Sequence, residues 1–265
     1  MEVFNQLPGQ INELVSSFTS TPIFGSLKVG LTQYTFWLIV SSCLLFILMT
    51  LYARKASLVP HGLFQNIMEF LIEFVENDVC KGILGDTWKR HFPFLGTMFL
   101  FILTTNLIGV IPGMKPGSGT ISTTAALAIV VFIYFIGVGI KNRGAWGYIK
   151  SLAPKGVAFP LNVLVWMIEV ISTILRPITL AVRLFCNMFA GHVVMGAFAL
   201  MISLFADPMI QQFSVMNFVG SLPGLAFALM LLVIYAIEIF VAAVQAYVFT
   251  ILSAVYIQSS ESKSE

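Results

Sequence analysis

Several stretches of this chain run for about twenty residues or more with scarcely a charge, and each is long enough to cross a bilayer core as a helix. YTFWLIVSSCLLFILMTLYA (34–53) is the first, and it ends in Arg54-Lys55. HFPFLGTMFLFILTTNLIGVIPG (91–113) and ISTTAALAIVVFIYFIGVGI, within about 120–140, follow, separated by the turn-forming GMKPGSGT. Two longer segments, 157–206 and 215–257, exceed one perpendicular crossing, and we read them as strongly tilted, antiparallel helices. Asp207-Pro208 is the expected turn between them. The segment 61–83 has a different pattern. Glu69, Glu73 and Glu76 recur at helical spacing opposite Phe64, Ile67, Phe70, Leu71 and Phe74, which predicts an amphipathic helix lying in the interface with its carboxylates solvated.

Composition agrees with that reading. Of 265 residues, 58% are hydrophobic and 10% charged, against about 25% charged in a soluble domain. The mean hydropathy is +0.94. No polar segment is long enough for a soluble domain. The expected fold class is therefore an all-α multi-pass membrane protein, with about five transmembrane helices and one interfacial helix. Residues 1–33 are read as an outer-side segment, a loop or short helix on the membrane surface, and 34–265 as a single polytopic domain. The first 30 residues show neither a signal-peptide pattern nor an Arg-rich transit pattern. Cys43, Cys80 and Cys186 are scattered; two lie in apolar runs, which predicts buried thiols and no disulfide.

Loop charges orient the bundle. Arg54, Lys55, Lys81, Lys89 and Arg90 lie between the first two spans, and Lys141, Arg143, Lys150 and Lys155 follow the third; the opposite side carries Lys28 and Lys115. The positive-inside rule then places the N-terminus outside and the C-terminus inside.

Five ionisable residues remain at membrane depth: Glu169, Arg176, Arg183, His192 and Glu238. Each costs a few kcal/mol in lipid and is expected to face a cavity or a partner. Glu169, Arg176 and Arg183 are spaced by sevens, on one helical face, with Asn187 a turn beyond; Glu238 and Gln245 share a face of the last helix. That spacing argues against simple pairing. If the two long helices lie antiparallel with Arg183 opposite Gln245, His192 and Glu238 meet at one depth, about 11–14 Å from Arg183 toward the outside. Glu169 then lies on the inner side with no opposing group. Two offset aqueous pockets separated by a fixed positive charge fit this layout better than a through-channel.

AVRLFCNMFAGH (181–192) and EIFVAAVQAYVFTILSAVY (238–256) resemble the two signature segments of the F-type ATP synthase subunit a, the membrane stator beside the rotating c-ring, and 91–113 resembles that family's second span. The resemblance covers roughly 60–257. It implies that Arg183 is the essential arginine, which draws the proton from each c-ring carboxylate and blocks a short-circuit; a guanidinium suits this because it stays charged when desolvated. It implies that His192, Glu238, Asn187 and Gln245 line an outer half-channel, in the reverse acid–histidine order from some relatives. Glu169 and Ser172 would belong to the inner half-channel, and Asn106 is a polar position of the entry path. Gly109 stands where some relatives carry an acid. The implied partners are the c-ring, the peripheral-stalk b subunits, the rest of the synthase and the lipid bilayer. The implied localisation is a bacterial inner membrane, ahead of a mitochondrial or thylakoid one.

An independent proton-coupled secondary transporter is the alternative. Such proteins show repeats and broken helices; no repeat is evident, and Pro177 is the clearest break. No nucleic-acid partner, metal or cofactor is expected. His61, His91 and His192 lack metal-ligand spacing, and no GxSxG, P-loop or dinucleotide fingerprint occurs. His61 and His91 are read as interfacial polar residues.

Overall fold

The two longest helices, α5 (Leu161–Gln211) and α6 (Val215–Glu261), pack along each other and carry the polar residues of interest. The computed structural model describes residues 22–26, 29–55, 57, 62–144, 146–148, 161–211 and 215–261. Ahead of this pair come α1 (Gln33–Lys55), α2 (Leu63–Phe74), α3 (Trp88–Val110) and α4 (Ile121–Arg143). Among the described residues, five helical stretches are long and apolar enough to cross a membrane. One of them includes α2 and α3, which are joined through a π-helical segment (Val75–Lys81) and a 3-10 turn (Gly85–Thr87). Gly85, at φ 57, supplies the left-handed backbone that lets the chain turn there.

The core follows from helical periodicity. On α6, Ala242, Ala246, Phe249, Ala254 and Ile257 are fully buried at spacings of three, four and five. Of these, Ala246, Phe249, Ala254 and Ile257 share one core cluster with Leu180 and Leu184 of α5, Leu95, Phe99 and Ile102 of α3, and Val131 and Phe135 of α4. Alanines at the crossing let backbones approach, which matters in lipid because packing, rather than water exclusion, drives helix association. The amphipathic α2 buries Gln65 and Met68 and exposes Leu63, Phe64, Ile67 and Phe70. Glu69 accepts a hydrogen bond from Gln65, Glu73 is exposed, and Glu76 pairs with Lys81.

Several expectations need correction. The described part of the N-terminal segment is neither loop nor helix. Pro22–Ser26 (β1) and Val29–Thr32 (β2) form a short antiparallel hairpin, and positions 1–21 lie outside the described residues. Position 177 breaks nothing, and α5 continues unbroken through 207 and 208 to Gln211. Helix α6 ends at Glu261, beyond the expected 257. Cys43 and Cys186, the thiols in apolar runs, are exposed on helix faces, whereas Cys80 is buried; all three are free. A long apolar helix buries only one stripe against protein and turns the rest outward, so an apolar neighbourhood does not predict burial inside the chain.

His91 is also not an interfacial polar residue. It is fully buried, with Nδ1 at 3.0 Å from the Tyr134 hydroxyl and Nε2 at 3.3 Å from Glu261 Oε1. Thr87 donates to Glu261 Oε2 at 2.7 Å, and Phe94 stacks on Tyr134 at 3.9 Å. These contacts clamp the last residue of α6 to the start of α3 and to the middle of α4. His61 lies outside the described residues.

Glu261→Ala should leave the buried His91 Nε2 unsatisfied, at a cost of about 1–3 kcal/mol, while Thr87 keeps its bond to the Leu84 carbonyl. Thermal unfolding of the detergent-solubilised complex checks this. A melting temperature equal to that of the parent would show that the clamp contributes nothing.

Candidate functional site

The site grows from one stripe of α5. Glu169, Ser172, Arg176, Thr179, Arg183 and Asn187 recur every three or four residues, so helical geometry alone places them along one side. Toward the N-terminal end of that stripe, Ser172, Arg176 and Thr179 line an open groove of about 360 Å³, together with Ile168, Ile171 and Leu175. Glu169 is half-buried and is not alone. Arg176 Nη2 donates to Glu169 Oε1 at 3.0 Å, and the Arg176 guanidinium lies 5.3 Å from the centre of the Tyr256 ring. The expectation that their spacing argues against pairing is therefore corrected. Two turns separate the residues, but both side chains reach along one face, and the long arginine spans the gap.

Arg183 differs from Arg176. It is exposed on α5, and among the described residues it has no hydrogen bond, ion pair or ring contact. Gln245 does not take it as partner. Asn187 Nδ2 donates instead to Gln245 Oε1 at 2.6 Å, one turn beyond Arg183. Gln245 is buried, and its Nε2 has no partner.

Farther along, Gly191 of α5 sits directly against the Glu238 carboxylate, and a β-carbon at 191 would collide with both carboxylate oxygens. The glycine thus makes the space in which Glu238 lies between the helices. His192 is the next residue, so histidine and glutamate do share a depth. They are not hydrogen-bonded to each other: Glu238 Oε1 and His192 Nε2 are both buried without a partner. Unpartnered buried polar atoms are costly and rare in proteins, and ordered water commonly satisfies them.

Asn106 of α3 is fully buried. It accepts a hydrogen bond from the Ser118 hydroxyl at 2.7 Å, while its Nδ2 and the neighbouring Thr105 Oγ1 have no partner. Its bond to Ser118 draws the α3–α4 connection inward. At 109, a β-carbon would come within 2.8 Å of the Pro116 Cα, so Pro116 occupies the room a side chain would need there. The same connection walls a cavity of about 170 Å³ lined by Tyr34, Lys115, Pro116, Met188, Phe189 and His192.

Thr179, Tyr34 and Lys115 are lining residues that sequence reasoning missed. Thr179 was detectable from its spacing in the α5 stripe. Tyr34 and Lys115 carry no periodic signal and reach the cavity only through folding. Among the described residues, no cluster of three or more metal-ligating side chains occurs.

Gly191→Ala should push the flexible Glu238 carboxylate from its place against α5 and lower the melting temperature of the solubilised complex modestly, at the low end of the overpacking range of about 1–3 kcal/mol. Gly220→Ala, whose new methyl would meet open space, should be near neutral. Equal melting temperatures for the two variants would show that the Gly191 contact with Glu238 is not close.

A family model described as ATP synthase A chain matches residues 35–258. The chain is 35% identical over 261 residues to ATP synthase subunit a of Frankia alni, covering 97% of this chain and 81% of that protein. It is 36% identical over 239 residues to ATP synthase subunit a of Myxococcus xanthus, covering 89% and 74%. Against ATP synthase subunit a of Hyphomonas neptunium it is 34% identical over 236 residues, covering 89% of each.

Proposed function

The chain belongs to the ATP synthase A chain family, and on that premise we propose that it is the proton-translocating stator subunit in which Arg183 separates two offset half-channels. The observation that carries this reading is the Arg183 guanidinium, exposed on α5 and without an intrachain polar partner among the described residues. A charge so placed in an apolar helix is costly unless something outside the chain meets it. A ring of rotating carboxylates supplies the matching charge.

In this mechanism a proton enters from the outer side, passes His192 and Glu238, and neutralises a c-ring carboxylate. The neutral acid can then face lipid, because desolvation disfavours the charged form. After the ring has turned, the site reaches Arg183 from the other side. The guanidinium, always protonated, favours the ionised carboxylate, and the proton leaves along the groove of Thr179, Arg176, Ser172 and Glu169. The Glu169–Arg176 pair keeps that exit polar, and Asn187 and Gln245 hold polar surface beside Arg183. Each proton carries roughly 2.3 kcal/mol per 100 mV of membrane potential. The chain makes and breaks no covalent bonds in this scheme; ATP chemistry belongs to other subunits.

The orientation is N-terminus outside and C-terminus in the cytoplasm, supported by the basic residues between α1 and α3 and after α4. The membrane is a bacterial inner membrane, supported by the bacterial relatives. The partners are the c-ring and, by family resemblance, the b subunits of the peripheral stalk.

Arg183→Ala, in a complex that still assembles, should abolish ATP synthesis and ATP-driven proton pumping, read as loss of acidification-dependent dye quenching in vesicles. Glu238→Gln and His192→Ala should slow flux by roughly 10-fold or more without abolishing it, the scale on which loss of a proton-transfer group reduces a rate. Coupled synthesis at the parent rate in the Arg183 variant would overturn the assignment. Unchanged flux in both of the others would overturn the outer path.

A further inference from the structure

We propose that Tyr256 is a positioning residue of the exit groove, whose ring face holds the Arg176 guanidinium back on Glu169 so that Arg183 alone of this stripe meets the rotor carboxylates. The inference rests on the inner half-channel reading above and adds to it a tether and a reason for one.

The need for a tether comes from the helix. Arg176 and Arg183 are seven residues apart, so they lie on nearly the same face of α5, roughly 10 Å apart along its axis. Helix α5 has 51 residues and is roughly 75 Å long, far beyond a bilayer core of about 30 Å, so as a span it is strongly tilted. Positions along a tilted helix differ in lateral place as well as in depth. A carboxylate carried round the ring therefore passes the Arg176 end of the stripe as well as Arg183. A second free guanidinium there would hold the carboxylate ionised at a second post and delay rotation between the two. Arginine would do this at any working pH, because it does not give up its proton.

Arg176 is held from two sides. Its Nη2 donates to Glu169 Oε1 at 3.0 Å, and its guanidinium lies 5.3 Å from the centre of the Tyr256 ring, a cation–π distance. Only 19% of its side chain is exposed, whereas Arg183 stands open on the helix surface. The ion pair by itself is a loose hold, because the Glu169 side chain is 39% exposed and water screens such pairs. The ring is the firm side, because it is braced in turn. Phe135 of α4, fully buried, meets Tyr256 with ring centres 5.9 Å apart, and Ala254 and Ile257 on either side of it in α6 are fully buried. Tyr134, next to Phe135, bonds His91, and His91 bonds Glu261, five residues beyond Tyr256. The clamp at the end of α6 thus also fixes the ring beside Arg176. The Tyr256 hydroxyl has no hydrogen bond among the described residues, so the ring face carries the contact.

The test uses the whole synthase reconstituted in vesicles, with ATP synthesis and ATP-driven pumping measured for Tyr256→Phe and Tyr256→Leu, each alone and together with Arg176→Gln. Tyr256→Phe keeps the ring and should run near the parent rate. Tyr256→Leu removes the π face and should slow both directions by about 3- to 10-fold, the shift in Arg176 position that loss of a cation–π contact permits. With Arg176→Gln in place there is no guanidinium to release, and Tyr256→Leu should then cost nothing further. A ring that only packs would give the same loss in both backgrounds, and a Tyr256→Leu synthase at the parent rate would show that the ring holds nothing; either result overturns the proposal. An electron cryomicroscopy map of the Tyr256→Leu complex reads the same point without activity. The Arg176 guanidinium should have left Glu169, and a guanidinium still in place overturns the tether. Ser172→Leu and Thr179→Leu test the groove itself by filling it with apolar bulk. If they slow flux while Tyr256→Leu fails the tests above, only the tether is wrong. If they leave flux unchanged, the exit groove falls and the tether falls with it.

Discussion

An arginine on an apolar helix with no counter-charge among the described residues is the constraint around which the rest of this molecule is arranged. A lone charge at membrane depth costs about 3 kcal/mol even on the gentler scales. Arg176, two turns earlier, is relieved by Glu169 and by the Tyr256 ring. Arg183 is not relieved in either way, although Asn187 and Gln245 stand one turn away. Those two satisfy each other instead, which leaves the guanidinium presented outward. In the proposed reading that surface faces the rotor, and the energy withheld inside the subunit is recovered on each passing carboxylate.

The same helix pair keeps the two ends of the site different. Toward the α5 N-terminus the polar groups lie in an open surface groove and are paired with each other. Beyond Asn187 they are buried between helices, and several have no protein partner. In the proposed reading, a surface groove on one side and an interior pocket on the other suit offset half-channels, because a straight polar thread past Arg183 would let protons cross without turning the rotor. Gly191 makes room for the Glu238 carboxylate where it now lies, against the α5 backbone. The clamp of His91, Tyr134, Thr87 and Glu261 secures the far end of α6 against the rest of the bundle.

Much of this was legible beforehand. The apolar spans follow from run length, because lipid obliges the backbone to satisfy itself within each helix. The order of polar groups along α5 follows from a 3.6-residue period. The misreadings share one cause. Glu169 and Arg176 were judged by Cα spacing, which ignores the reach of an arginine. His91 and the cysteines were judged by their neighbours in sequence, whereas burial depends on which stripe of a helix meets another helix. Prolines were read as breaks, but α5 runs on through both of its proline positions.

The sequence by itself determined the number of spans, the polar stripe of α5 and the family, since each depends on local period, run length or signature residues. Tertiary structure decided the axial register of α5 against α6, and with it the pairing of Asn187 rather than Arg183 with Gln245. It also decided that the α3–α4 loop folds inward to seal Gly109 and to bring Lys115 beside Tyr34 and His192. Register and loop packing are sums of many weak contacts between distant segments, and no single stretch of the chain encodes such a sum.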